Sequence, residues 1–379
     1  MRILLVGEYS RLHNTLKDGL LHLGHEVLLI GTGDGFKKFP VDIDHSSKIF
    51  SKPFFRPFVK SIEFLTSINL IQLEHGWRFY SALSKLRDFD VIQLVNENSI
   101  RTHPPIEIWL LKKLMKQNGK LYLLSCGTDY LSVRYAYDKK YRYSILSPLF
   151  DNSELRKNYR FILKYLRKPY LKLHQFLFRH IHGVIASDID YHLPLEGNPK
   201  YVGLIPNPIH IDSLSYEPLR LNGKIRIFHG VNSMNYLKKG NRFFDEALSI
   251  IQKKYAEKIE VISTRDLPYS EYIKAYDQCH ILLDQVYAYD QGYNALEAMA
   301  KGKVVFTGAE QEWLDHYELE KNAVAINALP DVSSIVNNLE TLIQNPEIII
   351  RISENARAFI KKEHDHIDCA QKYLKAWQN

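Results

Sequence analysis

Gly292–Val305 reads G-Y-N-A-L-E-A-M-A-K-G-K-V-V. The pattern predicts a short apolar helix that opens just after a glycine turn, ends at Gly302 and leads at once into an apolar strand, Val304–Thr307. A helix–glycine–strand unit of this kind belongs to parallel α/β architecture. The stretch also sets a carboxylate, Glu297, about one turn into the helix. A helix start offers backbone N–H groups and a partial positive charge, which suit a phosphate. A carboxylate one turn further in accepts hydrogen bonds from a ribose diol. Together these parts read as a socket for a nucleotide diphosphate.

The rest of the chain repeats the alternation. Ile3–Val6 reads as a strand, Gly7–Ser10 as a turn, Leu12–Leu23 as a helix closed by Gly24, and Val27–Ile30 as a second strand. That order implies a right-handed crossover in a parallel sheet. Further strands are expected at Val91–Leu94, Leu121–Ser125, Val184–Ala186 and Val202–Ile205, with helices at Ile106–Gln117 and Tyr159–Phe178. Two prolines in Ile205–Asp212 (I-P-N-P-I-H-I-D) break the pattern near residue 210. A second alternating unit follows: strand Ile225–His229, helix Asn241–Lys254, strand Ile259–Ser263, helix Ser270–Gln278, strand Ile281–Asp284, and helix Ser333–Asn345 after the 290–305 unit. Asp365–Gln378 reads as a last amphipathic helix. With 379 residues the chain has room for two cores. The expectation is two Rossmann-like, doubly wound domains, 1–210 and 211–364, facing a central cleft, with 365–379 packing back on the first.

The 45% apolar and 25% charged content is that of a globular soluble protein. No apolar run approaches the ~20 residues that span a bilayer. Cys126, Cys279 and Cys369 show no metal spacing and fit a reducing cytoplasm as buried thiols. The net charge of +7 is uneven: Arg134–His182 holds twelve Lys or Arg against three acids. That stretch is also rich in Tyr, Phe and Leu, which suits either a solvated helix face or an anionic membrane surface. No recognition motif for nucleic acid accompanies it.

Three segments, in order, resemble the retaining, two-domain GT-B glycosyltransferases of family 4. Gly292–Val305 resembles the family's glycine–LEAMA–glycine segment, Ile205–Asp212 its link before the second domain, and Phe228–Gly240 (F-H-G-V-N…K-K-G) the strand and loop that open its nucleotide domain. The resemblance implies transfer of a sugar from a UDP- or GDP-linked donor to a glycan or lipid-linked acceptor hydroxyl, with retention and without a metal. The setting it implies is bacterial surface polysaccharide assembly, in the cytoplasm or on the inner face of the plasma membrane.

By the same resemblance Glu297 holds the donor's ribose. Lys239 steadies the diphosphate, and Gly292, Tyr293, Asn294 and Ala295 offer it backbone amides. Gly230 and Asn232 belong to the loop facing the nucleotide. Tyr289 stands where the family's first glutamate falls, so Asp290, one place on, is expected to steer the donor sugar. The family's arginine is replaced by the Val231–Ser233 region, and Lys238 or Arg242 supplies a second cation. In the first domain the loop Gly7–His13 stands where the family places a glycine-rich turn facing the diphosphate, with Glu8, Tyr9 and Ser10 in place of its glycines. Asp129 either binds the donor sugar, acts as acceptor base or caps a helix, and Glu97 is the rival base. His13 and His103 are expected to be structural. Two other readings share the pattern: a sugar-nucleotide epimerase of the same fold, and a catalytically degenerate nucleotide-binding scaffold subunit.

Overall fold

Apolar runs bounded by glycine, proline or charge become strands in the computed structural model, which describes residues 1–34, 39–267 and 269–378. The strands are β1 Arg2–Val6, β2 Glu26–Gly31, β3 Ile43–Asp44, β4 Val91–Leu94, β5 Lys120–Ser125, β6 Gly183–Ala186 and β7 Tyr201–Leu204, then β8 Ile225–Val231, β9 Ile259–Arg265, β10 Ile281–Leu283, β11 Val304–Thr307 and β12 Ile326–Asn327. They form two sheets, ordered β3-β2-β1-β4-β5-β6-β7 and β12-β11-β10-β8-β9. Among the described residues every strand pairing is parallel. Parallel strands are covered on both faces, which is why β4 (V-I-Q-L) and β11 (V-V-F-T) are buried along their whole length.

The chain divides into two compact units. The first comprises Met1–Arg134, Arg160–Pro208 and His366–Asn379. Its core runs through Leu4, Val6, Ile92, Leu94, Leu123, Val184 and the helical Leu110, Leu114 and Leu173. The closing helix, His366–Gln378, is part of this unit. It packs on helix Leu12–His22, the Tyr122 hydroxyl donates to the Trp377 carbonyl at 3.0 Å, and the Trp377 indole N–H donates to Gln93 Oε1 at 2.9 Å.

The second unit comprises Tyr135–Tyr159 and Ile209–Asp365, with a core through Ile227, Phe244, Ile251, Ile281, Phe306, Leu339 and Ile352. The linear division at residue 210 does not capture Tyr135–Tyr159, which leaves the first unit and is built into the second. The expected helix Tyr159–Phe178 is likewise broken, into Arg160–Leu163, a 3-10 turn at Lys164–Leu166, and Lys168–His180 entered by Pro169. Tyr159, Tyr165, Tyr170, Phe176 and Leu177 point into cores. The basic stretch therefore shows solvent its cations more than its aromatics. Among the described residues no helix is long and apolar enough to cross a membrane.

In each sheet the strand order reverses once. The reversal lies between β1 and β4 in the first and between β8 and β10 in the second. Loops leaving the carboxyl ends of strands diverge at such a point and make room for a ligand.

Candidate functional site

At the reversal in the second unit, β8 leads through a 3-10 turn into the short helix Tyr236–Lys239, and β10 ends one residue before Asp284. The two loops are tied together by the Val286 amide, which donates to the Lys239 carbonyl at 2.8 Å. Lys239 Nζ lies 2.7 Å from Asp284 Oδ1. The carboxylate side chain is only 1% exposed, while the lysine side chain is 31% exposed. Asn294 Nδ2 donates to the same Oδ1 at 2.8 Å. Among the described residues Asp284 Oδ2 is buried with no hydrogen-bond partner. One buried carboxylate thus draws together a cation from the β8 loop and the first turn of helix Tyr293–Ala300.

That first turn is held further. The Tyr272 hydroxyl donates to Asn294 Oδ1 and the Tyr276 hydroxyl to the Asn294 carbonyl, both at 2.9 Å. Tyr272 packs on Phe228 and lies so close to Gly230 that a Cβ there would sit 2.4 Å from its ring. Gly230, inside β8, is therefore a close-approach glycine that seats Tyr272. Gly292 caps the helix, and its carbonyl takes the amides of Ala295 and Leu296, each at 3.0 Å. The Ala295 amide, an expected phosphate donor, is thus engaged inside the first turn. The helix ends at Gly302, whose φ of 73° few side chains adopt, and Arg357 Nη1 donates to the Ala300 carbonyl at 2.5 Å. Glu297 is half-buried, and its charge adds to burial in pushing up the hydroxyls of Tyr276 and Tyr272.

The remaining candidates here take varied positions. Asp290 is buried, with Oδ1 accepting from the Gln291 amide at 2.6 Å. Asn232 is exposed and its side chain caps the Ser233–Asn235 turn. Lys238 is half-buried, and burial followed by the neighbouring Lys239 charge pulls its ammonium down. Arg242 stacks on Phe243 and bonds Tyr287. Sequence reasoning passed over Arg265, which ends β9, donates to Ser233 Oγ at 3.4 Å and lies over the Tyr236 ring. Its position at the carboxyl end of a strand was the available signal. It also missed Asp284, which it absorbed into the strand.

Tyr289, in the place of the family's first glutamate, is an aromatic hub. Only 2% exposed, it packs against Tyr141 and Tyr143, with the Arg142 guanidinium 4.8 Å above its ring. Its hydroxyl accepts from the Arg142 amide at 2.8 Å. The Arg142 guanidinium reaches Glu312 with two bonds of 2.7 Å and Glu310 at 2.5 Å. Glu310 also takes the Tyr143 hydroxyl and Asn327 Nδ2.

At the reversal in the first unit lie Glu8 and Glu97. Glu97 is buried: Oε1 is 2.7 Å from His174 Nδ1, and Oε2 accepts from the Tyr130 amide at 3.1 Å. Burial pushes its carboxyl up, opposed by the His174 bond. His174, stacked on Tyr130 and Phe178, went unnoticed because only the fold brings it to Glu97. Asp129 takes the capping role: Oδ1 accepts from the Ser132 amide at 2.7 Å and Oδ2 from Ser125 Oγ. Glu8 Oε2 accepts from the Asn14 amide and side chain at 2.9 and 2.6 Å, while Oε1 is buried with no hydrogen-bond partner among the described residues. Burial pushes its carboxyl up to about 7. His13 is buried with Nδ1 on the Gly7 carbonyl, and His103 meets the Asn69 backbone, both structural placements. Among the described residues no group of three or more His, Cys, Asp or Glu is arranged to hold a metal ion.

Residues 228–375 match a family model described as Glycosyl transferase-like. Solved structures similar to this chain include Anabaena Alr3699/HepE in complex with UDP and glucose, at 14% identity and a TM-score of 0.61, covering 100% of this chain and 99% of that one. Sucrose-phosphate synthase from Thermosynechococcus elongatus is similar at 13% identity and a TM-score of 0.61, covering 100% and 98%. A glycosyltransferase from Rickettsia africae ESF-5 is similar at 13% identity and a TM-score of 0.54, covering 99% and 97%. No curated protein matches the sequence. At these identities the structures establish the fold, and the family match covers residues 228–375. The chain has the GT-B fold, with two parallel α/β sheets, and the match supports a glycosyltransferase.

Proposed function

We propose that the chain transfers a sugar from a nucleotide-diphosphate donor to an acceptor hydroxyl, with retention and without a bound metal, as a family 4 enzyme. The observation that carries this reading is the meeting of Lys239 and Asn294 on the buried carboxylate of Asp284. It sets an ammonium beside the start of the helix that bears Glu297. A diphosphate laid on that helix start meets axial N–H groups and Lys239 together, and a ribose one turn along meets Glu297. Fixed donors then stabilise the charge that grows on the departing phosphate, the part a metal ion would otherwise play. The HepE structures hold UDP and UDP-glucose, which favours a UDP-linked donor over a GDP-linked one.

In the first unit this reading takes Glu97, its carboxyl pushed up by burial and paired with His174, as the acceptor base, while Asp129 caps its helix through Oδ1 and takes the Ser125 hydroxyl through Oδ2. The cation-rich stretch Arg134–His182 supports a polyanionic or lipid-linked acceptor, such as one used in bacterial surface polysaccharide assembly on the inner face of the plasma membrane. Calorimetric titration with UDP and GDP tests the donor site. UDP is expected to bind more tightly, and Glu297→Ala to weaken it by about 10- to 100-fold, or about 1.4–2.7 kcal/mol. Equal affinity of mutant and parent would remove the ribose assignment.

A further inference from the structure

The segment between β3 and helix Leu70–Ala82 in the first unit carries an apolar surface that nothing in that unit covers. A 3-10 turn at Pro53–Phe55 runs into helix Arg56–Thr66, and of that helix only Val59 is buried. Phe54, Phe64 and Leu65 are 86%, 88% and 76% exposed, and Ile49, Phe58 and Ile68 are exposed as well. The inward side is already satisfied by Val59, with Phe55 half-buried against Phe50 and Ile62 half-buried. Phe58 and Leu65 share one stripe (i, i+7), and Phe64 widens it on the side where Lys60 lies one turn earlier. Single exposed apolar residues are ordinary; a stripe of three aromatics and a leucine on one short segment is not.

The charge around the stripe has one sign. From Lys48 to Ile68 the chain holds Lys48, Lys52, Arg56 and Lys60 against the one carboxylate Glu63. Lys48 is neutralised by Asp44, and Lys52, Arg56 and Lys60 are exposed.

The geometry points to this segment as a docking element that lies in the interface of an anionic phospholipid bilayer. Phe54, Phe58, Phe64 and Leu65 enter the headgroup–acyl boundary while Lys52, Arg56 and Lys60 meet lipid phosphates. A short helix with aromatic and aliphatic residues on one side and cations on its flank has the composition of such elements. A second copy of the chain is the poorer occupant, because pairing the stripe with itself crowds Lys52, Arg56 and Lys60 against their counterparts. The inference goes beyond the transferase reading, since vesicle binding needs neither donor nor acceptor.

Flotation of the full chain with vesicles of equimolar phosphatidylglycerol and phosphatidylcholine tests it, beside vesicles of phosphatidylcholine alone. The parent is expected to float with the anionic vesicles, and Phe64→Ser combined with Leu65→Ser to bind at least about tenfold more weakly. Both positions are exposed, so the variant keeps its fold and its nucleotide binding, which a UDP titration verifies. A Phe64→Trp variant is expected to gain blue-shifted emission on anionic vesicles. Undiminished flotation of the serine variant overturns the proposal. So does absence of flotation by the parent, or a concentration-dependent dimer of the parent that the serine variant loses.

Discussion

Lys239 Nζ sits 2.7 Å from Asp284 Oδ1, and the two residues come from loops that leave β8 and β10, neighbouring strands on either side of the sheet's reversal. The contact holds the ammonium where the ends of β8 and β10 diverge. Asp284 positions the lysine and, through Asn294, the start of the helix.

Two substitutions separate those duties. Lys239→Ala removes the ammonium and leaves Asp284, already short of a partner at Oδ2, as an uncompensated buried charge. UDP affinity and stability are both expected to fall, stability by about 2–3 kcal/mol given the lysine's partial exposure. Lys239→Ala combined with Asp284→Asn removes that charge, so melting temperature recovers in part while UDP affinity does not. Thermal unfolding with and without UDP reads both. Equal UDP affinity in parent and double variant would deny Lys239 a phosphate contact.

Gly230→Ala probes the same site from beneath. The added methyl meets the Tyr272 ring at 2.4 Å and Phe228 at 2.9 Å, inside β8 where backbone cannot yield. Tyr272 is the group most able to move, and moving it breaks its bond to Asn294 Oδ1. A loss of about 1–3 kcal/mol in stability is expected from overpacking, with weakened UDP binding beside it. Tyr272→Phe, which removes only the hydroxyl, is expected to weaken binding with a smaller stability loss of about 1 kcal/mol. Denaturant titration and calorimetry on the two variants give the comparison.

Ten strands were legible because each is a short apolar run bounded by punctuation: β1 follows Met1 and stops at Gly7, and β11 follows Gly302 and Lys303, whereas the two-residue β3 (I-D) and β12 (I-N) carry no such run and were not expected. The helix at 293–300 was legible for the same reason. What escaped depends on distance along the chain. Asp284 reads as the last residue of a strand until Lys239, 45 positions earlier, is seen beside it. His174 lies mid-helix, 77 positions from Glu97. Helix Pro346–Glu363 carries a local signal, a proline at its start and apolar residues at Ile349, Ile352, Ala356 and Phe359 on helical spacing. Tyr135–Tyr159 could not be assigned linearly, because its membership rests on Tyr289 and Glu310, which accept its tyrosines and arginine.

Glu8 links the first unit to pH. Its carboxyl ordinarily loses its proton near 4.5 and in the fold holds it to about 7, because burial outweighs the Asn14 bonds. Its folded value is raised. The stability tied to its proton is therefore present in full below about 4.5 and is lost as pH rises through about 7. The total is at most about 3 kcal/mol. Glu8→Gln keeps an oxygen for Asn14 and cannot ionise, so its stability falls less than the parent's between about pH 5 and about pH 8. Urea midpoints at the two pH values, parent against variant, measure the difference. Parallel shifts in both proteins would show that Glu8 is ionised throughout.

The docking of Tyr135–Tyr159 onto its unit turns on Glu310. This carboxylate is 8% exposed and joins Arg142, Tyr143 and Asn327, whereas Glu312, 30% exposed, meets Arg142 alone. Exposure of half the Arg142 side chain screens both pairs, so the buried acceptor matters more than the count of ion pairs. Glu310→Ala strands the Tyr143 hydroxyl and the Asn327 amide and is expected to cost about 1–3 kcal/mol, with faster proteolysis within Tyr135–Tyr159. Glu312→Ala is expected to cost less than about 1 kcal/mol and leave cleavage of that segment slow. Limited trypsin digestion followed by mass mapping distinguishes them: Lys139, Lys140, Arg142, Arg156 and Lys157 all lie in the segment and report its release directly. Equal cleavage of both variants would move the anchor from Glu310 to the aromatic packing of Tyr141 and Tyr143 on Tyr289.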